Sequence, residues 1–230
     1  YALLHLLSAQ EPPTGPPLTA RVGDATLTLG GELMGRVEFR DNADLGTTAG
    51  ASADSIRARA ILGLEADFGA YLRAYGEGLG TWGDPSDRST EDLQQLYLDL
   101  HRLFGSWNVR AGRTELEFGD GRLVSASRGW LFEPNSFDGL LVQGTWNDPE
   151  FRWSLWATDG ANGPAGDAGD SFSGAFADWA VSREQVVEAY FLVRHQSTIE
   201  LSEITLAARW HGRTVHGLEW SIFGAAQDGY

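Results

Sequence analysis

The chain has 230 residues and a formal net charge of −15, from 32 acids against 17 bases. That balance argues against a general nucleic-acid surface, which needs positive charge. With no cysteine there is no disulfide framework and no thiolate metal site. All 17 bases are arginine. A GC-rich genome accounts for this, and so does a path lined by planar guanidinium groups that grip carboxylates or sulfates bidentately.

In chain order, residues 1–24 read as a signal-peptide remnant followed by a Pro-rich linker. Ala2 to Ala9 has the apolar, small-ended character of a signal peptide's tail. Gln10 to Pro17 (QEPPTGPP) has the composition of a flexible connection. Export across an inner membrane is the expectation. Residues 25–230 read as one domain built from alternating segments. From Leu27 to Phe39 the odd positions are Leu27, Leu29, Gly31, Leu33, Gly35, Val37 and Phe39, while the even ones include Glu32, Arg36 and Glu38. From Ile56 to Phe68 apolar residues again alternate with Arg57, Arg59, Glu65 and Asp67. A period of two puts one set on each face of a β-strand.

Further strands are predicted near 71–82, 93–102, 107–118, 137–146, 151–158, 175–182, 185–194, 203–210 and 217–226, about eleven in all. Short connections alternate with long polar ones, around 41–54, 83–92, 119–136, 159–174 and 195–202. Outer-membrane barrels have this rhythm because periplasmic turns are tight and outer loops are free to grow. Phe68, Trp107, Trp146, Phe151 and Trp210 each lie beside a short turn, where an interfacial aromatic girdle belongs. No apolar run approaches the roughly 18 residues that a membrane helix needs. The expected fold is therefore all-β, an antiparallel up-and-down transmembrane barrel.

One strand breaks parity. Trp107, Val109 and Ala111 share a face, and continuing the count would put Arg113 into lipid. A β-bulge at Ala111-Gly112 is predicted, turning Arg113, Glu115 and Glu117 inward and Leu116 and Phe118 outward.

From Gly112 the chain reads GRTELEFGDGRLVSASRGW, followed by FEPNSFDGLLVQ from Phe132. The residues Gly112-Arg113, Glu115-Leu116, Phe118-Gly119-Asp120, Arg122-Leu123, Trp130 and Phe137-Asp138-Gly139 resemble the signature of the alginate export family of outer-membrane porins. The resemblance extends more loosely from about Leu27 to Trp156. It implies an eighteen-stranded barrel with a charged lumen that passes an anionic polysaccharide outward. Eleven strands cannot close such a barrel, so the chain is expected to be a fragment, with a complete ten- or twelve-stranded barrel as the alternative. The resemblance places the chain in the outer membrane of a Gram-negative-type bacterium. Its partners would be membrane lipid, lipopolysaccharide, the anionic solute and periplasmic export proteins.

By parity the inward arginines are Arg36, Arg57, Arg59, Arg73, Arg110, Arg113, Arg152, Arg194 and Arg209, with Arg122 in the long loop. The inward acids are Glu32, Glu38, Glu65, Asp67, Glu77, Asp99, Glu115 and Glu117, with Asp120 nearby. Rings of charge set pore selectivity, but such arginines can equally be neutralised by neighbouring acids and brace the wall. A network of Arg113, Arg122, Glu115 and Asp120 is expected to fix the loop after the fifth strand. Glu115 and Glu117 share a strand face, as a glycosidase pair could; solvated acids with arginine partners explain them as well. The five histidines form no HExxH motif. Loop acids such as Asp84, Asp87, Glu91, Asp92, Asp167 and Asp170 are read as keeping the loops solvated, with divalent-ion binding as the alternative. No cofactor, metal or bond chemistry is expected. Two other functions compete: a general diffusion porin, and a secreted carbohydrate-active β-sandwich whose apolar faces a second sheet would cover.

Overall fold

The computed structural model describes residues 18–40, 53–83, 90–119, 121, 123–124, 135–147, 150–162, 170–197, 200–214 and 216–229. Twelve strands follow in chain order. They are β1 (Leu18–Val22), β2 (Ala25–Arg40), β3 (Ala53–Phe68), β4 (Leu72–Trp82), β5 (Thr90–Leu103) and β6 (Trp107–Thr114). After these come β7 (Ser136–Asn147), β8 (Glu150–Asn162), β9 (Ser171–Ser182), β10 (Gln185–Gln196), β11 (Leu201–Arg213) and β12 (Glu219–Gly229). Each pairs antiparallel with its sequence neighbours in a single up-and-down sheet. Among the described residues the sheet is not closed: β1 and β12 have one neighbour each.

The period-two pattern becomes two chemically distinct faces. On one face Leu33, Leu62 and Leu206 are 78%, 62% and 57% exposed. On the other Arg59, Glu77, Asp99, Asp178 and Glu188 are buried among one another and their neighbours. All twelve strands of the described residues lie in one sheet with none packed on the apolar face, whereas a β-sandwich would split them between two. Water would penalise so many bare leucines, whereas lipid would not.

Aromatic side chains mark one end of that apolar face. The ladder sets Trp146, Phe151, Trp179, Val187, Trp210 and Ile222 opposite one another across β7 to β12. Trp146 stacks on Phe151 with centroids 5.3 Å apart, and Trp107 meets Trp153 edge-on at 5.0 Å. Phe68 lies on the same face beside its own tight turn, half exposed. All sit at the short-turn end, where a girdle can hold the lipid headgroup boundary.

Three features differ from expectation. Leu18–Val22 forms a strand against β2, in the stretch read as leader and linker. The β10–β11 connection is only 197–200, because the two strands stay paired as far as Gln196 and Leu201. No bulge occurs at Ala111-Gly112: β6 keeps register with β5 from Val109 to Arg113 and with β7 from Trp107 to Thr114. Gly112 instead takes φ +125°, and a Cβ there would overlap the Leu96 carbonyl oxygen. The two-for-one step lies across on β5, where Glu77 faces Gln95 and Gly78 faces Leu93, so that Gln94 is the extra residue.

Candidate functional site

The charged face is organised by cross-strand pairing. Asp67, Arg73, Asp99 and Arg110 lie directly opposite one another on β3, β4, β5 and β6, with alternating sign. Arg73 Nε donates to Asp67 at 2.8 Å, and its Nη1 is 3.4 Å from Glu65. Arg110 is bidentate to Asp99 at 2.7 and 2.8 Å, donates to Thr114 Oγ1 at 3.0 Å, and lies 3.8 Å over the Tyr97 ring. A second row runs Arg152, Asp178, Glu188, Arg209 across β8 to β11. Arg152 donates to Asp178 at 2.9 Å, and Arg209 is 3.7 Å from Glu188. The bidentate fork between Arg110 and Asp99 fixes that guanidinium in place. Both rows lie near the short turns. A polar recess of about 660 Å³ opens there between Asp67, Arg73, His101, Arg102, Asn108 and Thr145.

Toward the long loops, Arg59 is 1% exposed and donates to Glu32 at 2.5 Å. Arg36 stands opposite Arg57 on the β2–β3 ladder, and Arg194 stands opposite Glu203 on β10–β11. Glu77 accepts hydrogen bonds from Tyr75 Oη at 2.6 Å and Gln95 Nε2 at 3.4 Å. Arg122 and Asp120 lie outside the described residues, as does the side chain of Glu38.

Arg113 requires a correction. With β6 unbroken, it shares the face of Leu96, Val109 and Ala111 rather than that of Arg110. It is not left bare: Nε and Nη2 hold Asp138 at 2.8 Å each, Nη1 donates to the Leu93 carbonyl at 3.1 Å, and Asp92 is 3.8 Å away. The expected Arg113–Glu115 network is therefore split between two faces. Glu115 instead accepts from Gln94 at 3.5 Å, while its own amide donates to Gln95 at 3.3 Å.

The chain leaves the sheet at Thr114 and folds inward, the second correction. Leu116, Phe118 and Val124, 1%, 6% and 3% exposed, pack against Leu141, Trp156, Phe176, Tyr190 and Leu192 on the charged face. Phe118 stacks on Trp156 at 4.5 Å and Phe176 at 5.4 Å, so it points inward and not to lipid. The Phe118 amide donates to the Val124 carbonyl at 3.1 Å and closes the segment on itself. Glu115 and Glu117 flank a cleft beside Arg110 and Gln143. This infolded segment narrows the space in front of β7 to β10.

Sequence reasoning missed both the segment and its seat. Asp178, Glu188, Tyr75, Tyr97, Tyr190 and His211 were not among the inward residues, although parity could have placed them. The signal for the segment was the inward apolar set of Trp156, Phe172, Phe176 and Leu192, which needs a cover.

None of the curated proteins matches the chain. Among solved structures it is similar to OccK5 (OpdH) of Pseudomonas aeruginosa, at 13% identity and a TM-score of 0.46. That match covers 88% of this chain and 61% of the other, so the chain spans less than two thirds of that protein's length. The family model described as alginate export matches residues 25–230. On that match, the chain belongs to the alginate export family and is an outer-membrane protein.

Proposed function

We propose that the channel passes an anionic polysaccharide, or another anionic solute, along an arginine-bearing, charge-balanced wall. The observation that supports this is the pair of cross-strand rows. Arg73, Arg110 and Arg152 are hydrogen-bonded to carboxylates, yet Arg152 keeps 59% of its side chain exposed. A fixed, half-neutralised guanidinium can attract a carboxylate or sulfate without trapping it. Conduction needs binding that is favourable enough to admit a solute and weak enough to release it. Arg73, Arg110, Arg152 and Arg209 are the residues assigned to that path, with Arg36, Arg57, Arg59 and Arg194 toward the long loops.

A general diffusion porin is the second reading, and the close matching of acids to arginines favours it. Planar-bilayer recordings of the full-length protein separate the two. Polyanion passage gives an anion-selective reversal potential and block by a soluble polyuronate, weakened in Arg152→Ala. A channel that is not anion-selective and is indifferent to polyuronate is a diffusion porin.

A further inference from the structure

We propose that the buried Glu188 carboxylate is a positioning group that seats the tip of the infolded segment and so sets the width of the lumen in front of β7 to β10. The proposal rests on the channel reading but not on the identity of the solute.

Two kinds of contact hold the segment. The first is apolar: Phe118 lies on Trp156 and Phe176, and Phe176 continues to Tyr190 at 4.9 Å. Such contact is non-directional and resists lifting more than sliding. The second is polar and lies one residue on. Gly119 has φ +64°, and a Cβ there would overlap the Tyr190 hydroxyl and come within 3.0 Å of Glu188 Oε2. The tip backbone therefore rests directly on the Tyr190–Glu188 pair. Only glycine combines that backbone conformation with that approach.

Glu188 has the partners an anchor needs. Its Oε2 accepts from Tyr190 Oη at 3.0 Å, and its Oε1 is 3.2 Å from His211 Nε2. Arg209 lies 3.7 Å away and is itself held by Ser221 Oγ at 2.9 Å. The carboxylate is 5% exposed and bonded to groups on both β10 and β11. Tyr190 is thereby oriented by a fixed acceptor, and the tip stops where that hydroxyl stops it. A fully partnered buried network specifies one geometry in a way that apolar packing does not.

The test uses the full-length protein in planar bilayers, with folding checked by heat-dependent gel mobility. Gly119→Ala and Glu188→Gln are expected to raise single-channel conductance and open-channel noise. Tyr190→Phe is expected to do so more mildly, and because it removes one oxygen it carries the comparison should Gly119→Ala not fold. These 230 residues hold no cysteine, so with any cysteine elsewhere in the full-length protein replaced by serine, Val124→Cys reports segment docking independently of current. Its thiol should resist a water-soluble maleimide in the parent. In the Gly119→Ala background it should react at least about tenfold faster, because a Cβ at φ +64° would overlap the Tyr190 hydroxyl and strain the docked state, and Glu188→Gln should change the rate in the same direction. Unchanged conductance together with a protected thiol in folded variants would overturn the proposal. If the parent protein forms no channel, the channel reading fails, while the labelling arm still decides the role of Glu188.

Discussion

Replacing Asp138 by leucine would strip the Arg113 guanidinium of two 2.8 Å hydrogen bonds on the outward face. The cost depends on what that face touches. Arginine on the lipid face of a barrel costs about 2–4 kcal/mol at the bilayer midplane and about 0–1 kcal/mol at the interfaces. Arg113 lies opposite Leu96, with Leu93 farther toward the long loops, so it falls inside the apolar band. Asp138→Leu should therefore destabilise by about 2–3 kcal/mol. In the double variant Arg113→Leu/Asp138→Leu neither charge remains, and stability should return to the parent value or exceed it by about 1 kcal/mol. Equilibrium urea unfolding in lipid vesicles, followed by tryptophan fluorescence, measures all corners of the cycle. If both singles cost less than about 1 kcal/mol, the pair behaves as a solvated surface salt bridge, and the outward face is not in lipid at that level.

Two further outcomes follow from single contacts. Glu32→Ala removes the 2.5 Å carboxylate contact of Arg59, which is 1% exposed; a loss of about 1.5–3 kcal/mol is expected in the same unfolding assay. Gly112→Ala forces a Cβ into the Leu96 carbonyl at a φ of +125°, so the yield of heat-modifiable folded protein should fall sharply, whereas Ala111→Gly on the same strand should be tolerated.

The strand wall was legible in the sequence because period-two alternation is enforced residue by residue wherever one face meets lipid. Leu33, Leu62 and Leu206 are exposed on the face that parity assigned to lipid. Parity fails where a strand ends without a change of pattern. Thr114 to Phe118 continues the alternation after the backbone has left the sheet, so Leu116 and Phe118 looked lipid-facing although they are seated inside. Arg113 was misplaced for a related reason. The count assumed that a charge must turn away from lipid, when an ion pair with Asp138 lets it stay. The five-residue strand β1 was hidden because it is too short for a periodicity to stand out beside the prolines before it. Cross-strand partners such as Asp178 and Glu188 depend on register between segments, which no single segment encodes.

A cysteine scan along β11, in protein with any cysteine outside these cysteine-free 230 residues replaced by serine, tests the assignment of faces most directly. In lipid vesicles, labels at Ile204, Leu206 and Ala208 should be quenched by brominated lipid. Thiols at Thr205 and Arg209 should react with a water-soluble maleimide and escape lipid quenching. Lipid quenching at Ile204, Leu206 and Ala208 alternating with water accessibility at Thr205 and Arg209 is the expected result, Ala207 between them being buried in the inward apolar cluster. Uniform accessibility along the strand, or the reverse alternation, would contradict a channel wall with lipid on one face and a charged lumen on the other.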